Sequence, residues 1–282
     1  MLIAGCGYVG AALGRSLAAH GIQVFGIRRN ANTLPEGIRG IACDLSRSGD
    51  ISSIPNRFGS LVYCPSVGGK GTLADYRALY VNGFRCLLDH GTFGRVLFVS
   101  STGVYGQRNG EWVDEISETS PCIDSGRAML EAESVARTNS PAGIAVRFSG
   151  IYGPGRTRLV HMLQEGRATC ERDRPRYLNQ IHRADCVGVL LHLLSIPNPA
   201  CLYISSDMEP ASRFDVWSWM AEQGRMQRPE VVDRGGSGIP RDARGNKRCL
   251  NRRLLADGYR FQFPTFREGY ADLLTGGGGL RR

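Results

Sequence analysis

A glycine-rich loop that directly follows a short apolar run is the feature that most constrains this chain. Met1–Ala4 is apolar, Gly5–Gly10 reads GCGYVG, and Val9–His20 carries leucines four residues apart before Gly21. Val24–Ile27 is again apolar. The pattern predicts a strand, a glycine loop, a helix and a second strand, which is the βαβ context in which a GxGxxG sequence is informative.

Each glycine of this loop has its own physical task. The first permits a tight turn, the second lets the backbone approach a pyrophosphate, and the third allows close packing of helix and strand. The N-terminus of the helix offers N–H groups and a partial positive charge to phosphates. The predicted dinucleotide-binding loop consists of Gly5, Cys6, Gly7, Tyr8, Val9 and Gly10.

The end of the second strand indicates which dinucleotide is bound. An NAD site usually carries a carboxylate there, whereas this chain has Arg28 and Arg29. A guanidinium can bind a 2′-phosphate, so we expect NADP(H) to be favoured over NAD(H), with Arg28 as the first ligand; two solvated arginines are the alternative. Asp44 and Leu45 end a third apolar run near the expected adenine, although Asp44 could equally cap a turn. Ser100 joins the predicted cofactor site.

Strand-like and helix-like segments continue to alternate after this unit. Leu61–Cys64, Arg95–Ser100 and Ile144–Phe148 are short apolar runs, and Leu73–His90 and Met129–Arg137 are helical in pattern. Strands that are apolar throughout are typical of a parallel sheet covered on both faces. The sequence therefore predicts an α/β fold, a Rossmann-type doubly wound parallel sheet with ligands at the carboxyl ends of its strands.

The alternation of apolar strand-like and helical segments stops after residue 150, and an arginine-rich, loop-like stretch covers residues 156–183. We expect residues 1–150 to form the dinucleotide-binding Rossmann domain, with 186–205 returning to its sheet. A smaller C-terminal substrate-side domain is predicted over residues 151–185 and 206–275. Residues 276–282 are predicted to be a tail.

The composition is that of a globular protein, with 42% hydrophobic and 22% charged residues. No apolar run reaches the roughly 18–20 residues that span a bilayer, and Met1 leads into the glycine loop without a basic segment. Nine cysteines are scattered without metal-ligand spacing, as is typical of buried thiols in a reducing compartment. We expect a cytoplasmic protein without a metal site.

The formal net charge of +9 raises the question of nucleic-acid binding. The basic residues are spread along the chain, and all are arginine except Lys70 and Lys247. No helix-turn-helix, RNP or zinc-finger pattern accompanies them. We therefore expect no nucleic-acid or membrane partner, while the charge suits polyanionic small ligands such as nucleotides.

Four motifs occur in an order and spacing that match one known family. They are the GxGxxG loop, Ser100–Gly106 (SSTGVYG), Arg147 with Tyr152–Gly155 (YGPG), and Ile181–Asp185 (IHRAD). The chain thereby resembles the extended short-chain dehydrogenase/reductase family, which contains the nucleotide-sugar epimerases and dehydratases. Two further stretches, WVDE at 112–115 and NKR at 246–248, resemble an atypical branch that keeps the cofactor loop and varies the active site.

The resemblance implies a catalytic set that this chain keeps only in part. In the typical family a Ser or Thr polarises the substrate, a Tyr transfers the proton, and a Lys four residues later lowers the pKa of that Tyr. The motif register places the Ser on Ser101, with Thr102 beside it. The Tyr then falls on Ser125 and the Lys on Met129, a register that Pro121 supports. The resemblance thus implies that the Tyr/Lys dyad is absent.

Other side chains are candidates for proton transfer and substrate binding. Tyr105 and Tyr152 could donate a proton, with packing and ordinary hydrogen bonding as the alternative. His182 could act as an acid or base or contact the substrate, or it could fix a loop to the sheet. Arg156 stands where family members bind the pyrophosphate of a nucleotide sugar, or lies in a solvated loop. The Asn that the family carries after the fourth strand falls on Tyr80, with Asn82 two residues away as the alternative.

Two functions follow from these features, and a third has only the charge in its favour. The first is an NADP(H)-dependent oxidoreductase or epimerase that acts on a nucleotide sugar or another polar carbonyl substrate, polarised by Ser101 and Thr102. The second is a catalytically silent NADP(H)-sensing protein that reports redox state to a partner. A nucleic-acid-binding protein is the third. A homodimer is common in the resembling family, but no residue establishes it.

Overall fold

Strands and helices alternate along the chain from its first residues. The computed structural model describes residues 1–69, 71–139, 142–171, 175–232 and 245–274. The strands are β1 (Leu2–Ala4), β2 (Val24–Arg28), β3 (Ile38–Ala42), β4 (Arg57–Tyr63), β5 (Thr92–Ser101), β6 (Glu111–Val113), β7 (Gly143–Phe148), β8 (Gly150–Tyr152), β9 (Thr169–Glu171), β10 (Tyr177–Leu178), β11 (Gln180–His182), β12 (Leu202–Ser205), β13 (Ala211–Ser212), β14 (Glu230–Val232) and β15 (Lys247–Cys249). The α-helices are α1 (Tyr8–Ala19), α2 (Leu73–Arg77), α3 (Gly83–His90), α4 (Asp124–Asn139), α5 (Arg158–Gln164), α6 (Arg183–Ser195), α7 (Arg213–Gly224), α8 (Arg252–Ala256) and α9 (Phe266–Leu274).

A central sheet of seven strands is present in the described part of the chain, in the order β12-β7-β5-β4-β1-β2-β3. The three-residue β1 runs parallel to both of its neighbours, with Leu2 opposite Phe25 of β2 and Leu61 of β4. The strand order runs outwards from β1 on both sides, so it reverses there. This is the predicted α/β Rossmann-type architecture, whose ligands bind at the carboxyl ends of the strands beside the reversal.

The strands of this sheet are continuous apolar runs, and their burial explains why they form. Leu2, Ile3 and Ala4 are all fully buried, as are Leu97 and Phe98 of β5. A strand that is covered on both faces needs apolar side chains at every position rather than at alternate ones. Removing this apolar surface from water is the main driving force for assembling the sheet.

The predicted helix over 73–90 is interrupted by a π-helical turn at Ala78–Asn82, between α2 and α3. The hydroxyl of Tyr63, at the end of β4, donates to the carbonyl of Leu79 at 2.5 Å. At Gly83 a Cβ would overlap with the carbonyl oxygen of Leu45. The first contact engages a carbonyl within the π turn, and the second lies at the residue that follows it.

The prediction that residues 156–183 are loop-like is wrong. Helix α5 and strands β9, β10 and β11 lie in this stretch. Val160 and Leu163 are buried on one side of α5 and belong to the same apolar cluster as Trp217, whose indole N–H donates to the Leu159 carbonyl at 3.1 Å. The intervening arginines obscured the short apolar pattern. Residues 172–174, which carry Arg172 and Arg174, lie outside the described residues.

Smaller differences concern the bounds of elements. The third strand, expected to include Asp44 and Leu45, ends at Ala42 because both residues belong to the turn that follows it. Helix α4 begins at Asp124, five residues before the predicted start at Met129. The predicted tail at 276–282 lies outside the described residues.

Contacts divide the chain into two units, which are described separately below. Unit 1 comprises Met1–Val104, Pro121–Arg147 and Val187–Tyr203, and unit 2 comprises Tyr105–Ser120, Phe148–Cys186 and Ile204–Arg282. The domain boundaries given above stay a prediction. Among the described residues, no helix has both the length and the apolar character to cross a bilayer.

Candidate dinucleotide and active site

The glycine loop after β1, in unit 1, contains three differently constrained positions. Gly5 has a positive φ of 84°, and a side chain there would also overlap with the backbone of Pro65. A Cβ at Gly10 would lie only 3.0 Å from Cys64 Sγ and from the Gly5 carbonyl oxygen. A Cβ at Gly7 would meet only that carbonyl oxygen, at 3.9 Å. The open space beside Gly7 lets a pyrophosphate approach the backbone, so the loop fits a dinucleotide.

The first turn of α1 presents a favourable electrostatic environment for that pyrophosphate. Gly7 is the N-cap and no acidic side chain lies in the first turn. Tyr8 opens the helix, while Val9 is buried in its inner face. The N–H of Cys6 donates to the Ile27 carbonyl at 2.9 Å, which ties the loop to β2. Burial raises the pKa of the Cys6 thiol to about 11, so this side chain adds no negative charge near the phosphates.

Arginine side chains lie at the end of β2. Arg28 is the last residue of the strand, Arg29 follows it, and both are exposed. The Asp44 carboxylate accepts hydrogen bonds from Ser46 N (3.1 Å) and Ser46 Oγ (2.7 Å), and the side-chain bond is the main cause of its lowered pKa. Leu45 is buried in the core. Two guanidinium groups are therefore presented at the strand end while the neighbouring carboxylate is engaged in its own turn.

The end of β5 carries two adjacent serines in different environments. Ser100 is buried, and its Oγ donates to Glu133 Oε1 at 2.5 Å. Its hydroxyl is thus used inside the protein, which differs from the predicted contact with a cofactor. Ser101 is half-buried, and its Oγ accepts a hydrogen bond from Gly103 N at 3.0 Å, so its own O–H remains able to donate. Thr102 is buried in the turn that follows.

Helix α4 carries both positions where the family resemblance implies the Tyr/Lys dyad. Ser125 and Met129 are four residues apart and share one side of the helix with Glu133, four residues further on. Met129 packs against the core of unit 1. A Cβ at Gly126 would lie 2.8 Å from the Gly103 carbonyl oxygen, so the start of α4 lies directly against the Ser101–Gly103 turn.

The Glu133 network was not predicted from the sequence. Arg147 donates to Glu133 from Nε (2.9 Å) and from its terminal nitrogen (2.7 Å), and both residues are buried. The only local signal was an acidic residue at helical spacing after Ser125 and Met129. Its partners come from β5 and β7, which are distant in the sequence and adjacent in the sheet.

Tyr80 lies in the π-helical turn of unit 1, at the position of the family's Asn. Its ring stacks on Tyr76 with centroids 5.9 Å apart, and its hydroxyl accepts from Val67 N at 3.3 Å. Burial raises its pKa above the ordinary value, so the phenol stays protonated at neutral pH. Tyr80 thereby connects the π turn to the loop after β4.

Tyr105 belongs to unit 2 and is fully buried. Its hydroxyl donates to the Asp114 carbonyl at 2.6 Å. Lys247, from β15, is also buried, and its Nζ donates to the Tyr105 carbonyl at 3.5 Å. This environment matches the packing and hydrogen-bonding alternative for Tyr105, and proton donation to a substrate would require the hydroxyl to leave Asp114.

Tyr152 and His182 are paired opposite each other on β8 and β11, with ring centroids 5.4 Å apart. His182 Nδ1 accepts from Ala184 N at 3.3 Å, which places the ring proton on Nε2. Burial lowers the pKa of His182 and raises that of Tyr152, so both side chains are neutral near pH 7. His182 also packs on Phe263, with centroids 3.9 Å apart.

Asp207 is a buried carboxyl group close to this pair in unit 2. Its N–H donates to the Gln180 carbonyl at 2.6 Å, and its Oδ1 accepts from Glu209 N at 3.3 Å. Its Oδ2 has no hydrogen-bond partner among the described residues. Burial raises its pKa well above the ordinary value, and the acidic side chain of Glu209 adds to the effect. The group therefore holds its proton over a wider pH range than a solvated aspartate.

Arg156 follows the Gly153–Pro154–Gly155 turn, in which its N–H donates to the Gly153 carbonyl at 2.8 Å, and its side chain is exposed. Arg158, at the start of α5, is also exposed. The exposure of these two side chains is compatible both with an anion site and with a solvated loop. In the part of the chain that the structure describes, no group of His, Cys, Asp and Glu side chains is arranged to hold a metal ion.

Unit 1 therefore brings together most of the predicted cofactor residues and Ser101. The glycine loop follows β1, Arg28 ends β2, and Ser101 ends β5, all at the carboxyl ends of parallel strands in one sheet. Residues 1–185 match the model of the NAD dependent epimerase/dehydratase family. The chain belongs to this family. The family is named for dependence on NAD, which agrees with a glycine loop that fits a dinucleotide.

Individual proteins are similar over nearly the whole chain. Protein YeeZ of Escherichia coli strain K12 is 26% identical over 93% of this chain and 95% of its own length. The structure of a candidate NAD-dependent epimerase/dehydratase from Methylobacillus flagellatus is 36% identical over 97% of both chains, with a TM-score of 0.78. MoeE5, solved in complex with UDP-glucuronic acid and NAD, is 23% identical with a TM-score of 0.78 over 97% of both chains, and shares the fold.

The open space at Gly7 predicts that a side chain there weakens cofactor binding and leaves the stability of the fold nearly unchanged. We expect Gly7→Ala to weaken the binding of NADPH at least about tenfold, because the added methyl group occupies the path of the pyrophosphate. The free energy of unfolding should change by no more than about 1 kcal/mol. Calorimetric titration and urea denaturation measure the two quantities. Gly59→Ala, where a Cβ meets nothing within 4 Å, is the control and should change neither. Unchanged NADPH affinity in Gly7→Ala would contradict the assignment.

Asp207 generates a prediction about pH. Above the ordinary aspartate pKa, the folded protein keeps a proton that the unfolded chain releases, so this group lowers stability as pH rises towards its folded pKa. We expect Asp207→Asn to gain at least about 1 kcal/mol of unfolding free energy relative to the wild type between about pH 4 and about pH 8. Denaturant unfolding at both pH values tests this, with the exposed Asp89→Asn as the control. A pH-independent difference would show that Asp207 ionises as it does in solvent.

Proposed function

We propose that this chain is an NADP(H)-dependent oxidoreductase or epimerase that acts on a nucleotide-linked sugar or a similar polar carbonyl substrate. The observation that carries the proposal is the placement, in one unit, of a dinucleotide loop open at Gly7, exposed arginines at the end of β2, and Ser101 with a donatable hydroxyl at the end of β5. Membership of the NAD dependent epimerase/dehydratase family supports the reaction class.

Arg28 and Arg29 support NADP(H) as the cofactor. A guanidinium at the end of β2 offers a 2′-phosphate charge-assisted, bidentate hydrogen bonds, whereas a carboxylate would repel it. MoeE5 was solved with NAD, so the preference for the phosphorylated cofactor rests on these two arginines and not on that relative. Gly5, Gly7 and Gly10 would shape the loop around the pyrophosphate.

The nicotinamide ring supplies the hydride chemistry when the cofactor is bound. Ser101 would donate its hydroxyl hydrogen to the substrate oxygen, because its Oγ already accepts from Gly103 N and is thereby held in one orientation. The Gly103 N–H bond also polarises the hydroxyl and makes it a better donor. Thr102 is buried and shapes the turn.

The absence of the Tyr/Lys dyad, which the family resemblance implies, limits the rate in this proposal. Ser125 and Met129 occupy those positions on α4, and neither side chain is an acid or base at neutral pH. Positioned acid–base catalysis typically contributes about 10²–10⁴-fold. Turnover through Ser101 with water as the proton source should therefore be slow by a similar factor.

A second function is favoured by the same face of α4. Met129 packs against the core in place of a charged lysine, which is what a protein that binds the cofactor without chemistry would tolerate. Such a protein would report the NADP(H) redox state to a partner. The two functions share the cofactor site and differ in whether Ser101 has a kinetic role.

The cofactor preference is tested by calorimetric titration with NADPH and NADH. We expect NADPH to bind at least about tenfold more tightly, since hydrogen bonds to charged groups are worth about 1.5–3 kcal/mol. Arg28→Asp should abolish or reverse the preference. Arg15→Asp, which makes the same charge change at an exposed position on α1, should leave it intact. Equal affinities for both cofactors in the wild type would defeat the assignment.

The catalytic role is tested by turnover. With UDP-glucose and UDP-glucuronic acid as probes and NADP⁺ as the oxidant, we expect slow oxidation, measured by the absorbance of the NADPH formed, or slow epimerisation, measured by product chromatography. Ser101→Ala should lower kcat about 10²–10³-fold without changing NADPH affinity, because the lost donor acts on the developing charge. The exposed Ser52→Ala is the control. NADPH binding without turnover of any polar carbonyl substrate would favour the silent sensor instead.

A further inference from the structure

Glu133 is a fully buried carboxylate on helix α4 of unit 1. Its Oε1 accepts hydrogen bonds from Ser100 Oγ at 2.5 Å and from Arg147 Nε at 2.9 Å, and its Oε2 accepts from the Arg147 terminal nitrogen at 2.7 Å. Arg147 and Ser100 are each at least nine-tenths buried. The charge of the carboxylate is thus neutralised by the bidentate guanidinium, and its remaining hydrogen-bonding capacity is directed at Ser100.

The three residues come from three elements that meet at one place. Ser100 is on β5, Arg147 is on β7, and these strands are neighbours in the central sheet. Glu133 reaches them from the helix that connects the two strands in the sequence. The network therefore fixes α4 relative to the last residues of β5, where the Ser101–Gly103 turn begins.

Stability alone is a poor explanation for this network. Placing a carboxylate and a guanidinium in a protein interior carries a large desolvation cost, and well-packed apolar residues of similar volume are often as stable or more so. Polar groups in an interior specify one arrangement of their partners, because any shift leaves a buried charge with unsatisfied hydrogen bonds. The arrangement specified here is that of Ser100, which directly precedes Ser101.

A second contact acts at the other end of the same turn. The close approach of Gly126 to the Gly103 carbonyl oxygen brings the start of α4 against the turn, while Glu133 holds Ser100 two helical turns further along. The Ser101–Gly103 turn is thus fixed to one helix on both sides. Neither contact involves Ser125 or Met129, the positions of the missing dyad.

We propose that Glu133 is a positioning residue, which acts through Ser100 to hold the Ser101–Gly103 turn in the geometry that receives the nicotinamide end of the cofactor. The proposal rests on the proposed function. Arg147 orients the carboxylate through two hydrogen bonds, and Ser100 transmits its position to the turn. The role assigned to Ser100 is therefore structural support of Ser101, not contact with the dinucleotide.

The test compares two ligands that share the phosphorylated adenosine and differ in whether they carry the nicotinamide. NADP⁺ carries the nicotinamide, whereas adenosine 2′,5′-bisphosphate carries only the adenosine with its two phosphates. We expect Ser100→Ala and Glu133→Gln to weaken NADP⁺ binding about tenfold, as for loss of a hydrogen bond to a charged group, and to leave adenosine 2′,5′-bisphosphate unchanged. Glu131→Gln is the matched control: it lies two residues away on α4 and breaks an exposed pair with Arg77.

Amide hydrogen exchange gives a readout that is independent of binding. In Ser100→Ala, the amides of residues 102–104 should exchange at least about fivefold faster, because the turn has lost its support, while those of residues 5–11 keep their wild-type rates. Ser100→Ala is the decisive variant if Glu133→Gln does not fold, since it retains the pair between Glu133 and Arg147.

The outcomes separate this proposal from the proposed function. Equal weakening of both probes, or faster exchange throughout unit 1, would show a general structural role and overturn it. Unchanged binding of NADP⁺ together with unchanged exchange at 102–104 would also overturn it. If the wild type binds neither probe, the proposed function fails. Faster exchange at 102–104 in Ser100→Ala would then still support the action of Glu133 on the turn, and unchanged exchange there would refute it.

Discussion

The three-residue strand β1 can lie at the centre of the sheet only because the chain turns away immediately after it. Gly5 makes that turn at a positive φ beneath Pro65, and Gly10 brings α1 back against Cys64 at the end of β4. Close backbone packing on both sides leaves one open position, at Gly7. The architecture of the sheet and the capacity to bind a dinucleotide thus have the same cause, and neither could be kept if Gly5 and Gly10 gained side chains.

Those features of the fold that depend on neighbouring residues could be predicted from the sequence. Continuous apolar runs identified the strands that contain Leu61 and Val96, and the glycine spacing identified the turn after β1. The sequence was insufficient where a distant group decides the local structure. The π turn that contains Tyr80 accepts a hydrogen bond from the Tyr63 hydroxyl and is followed by the close approach of Gly83 to the Leu45 carbonyl, and neither partner is near it in the sequence.

The candidate site shows the same division. The family motifs located Ser100 and Ser101 together, but only the tertiary structure assigns them opposite roles, because Ser100 Oγ points to Glu133 and Ser101 Oγ accepts from the following turn. Tyr105 was a reasonable proton donor by residue type, yet its hydroxyl is directed to Asp114. Side-chain direction in a buried turn follows from its hydrogen-bond partners, and these are set by the assembled fold.

The contacts that hold helix α4 in register have an evolutionary consequence. They run through Gly126, Glu133 and their partners, and neither contact is made by the side chain of Ser125 or Met129. A lineage can therefore exchange the side chains at these two positions without rebuilding its scaffold. If these are the dyad positions, as the family resemblance implies, two substitutions would add or remove an acid–base pair on the same backbone, which makes both changes short steps in sequence space.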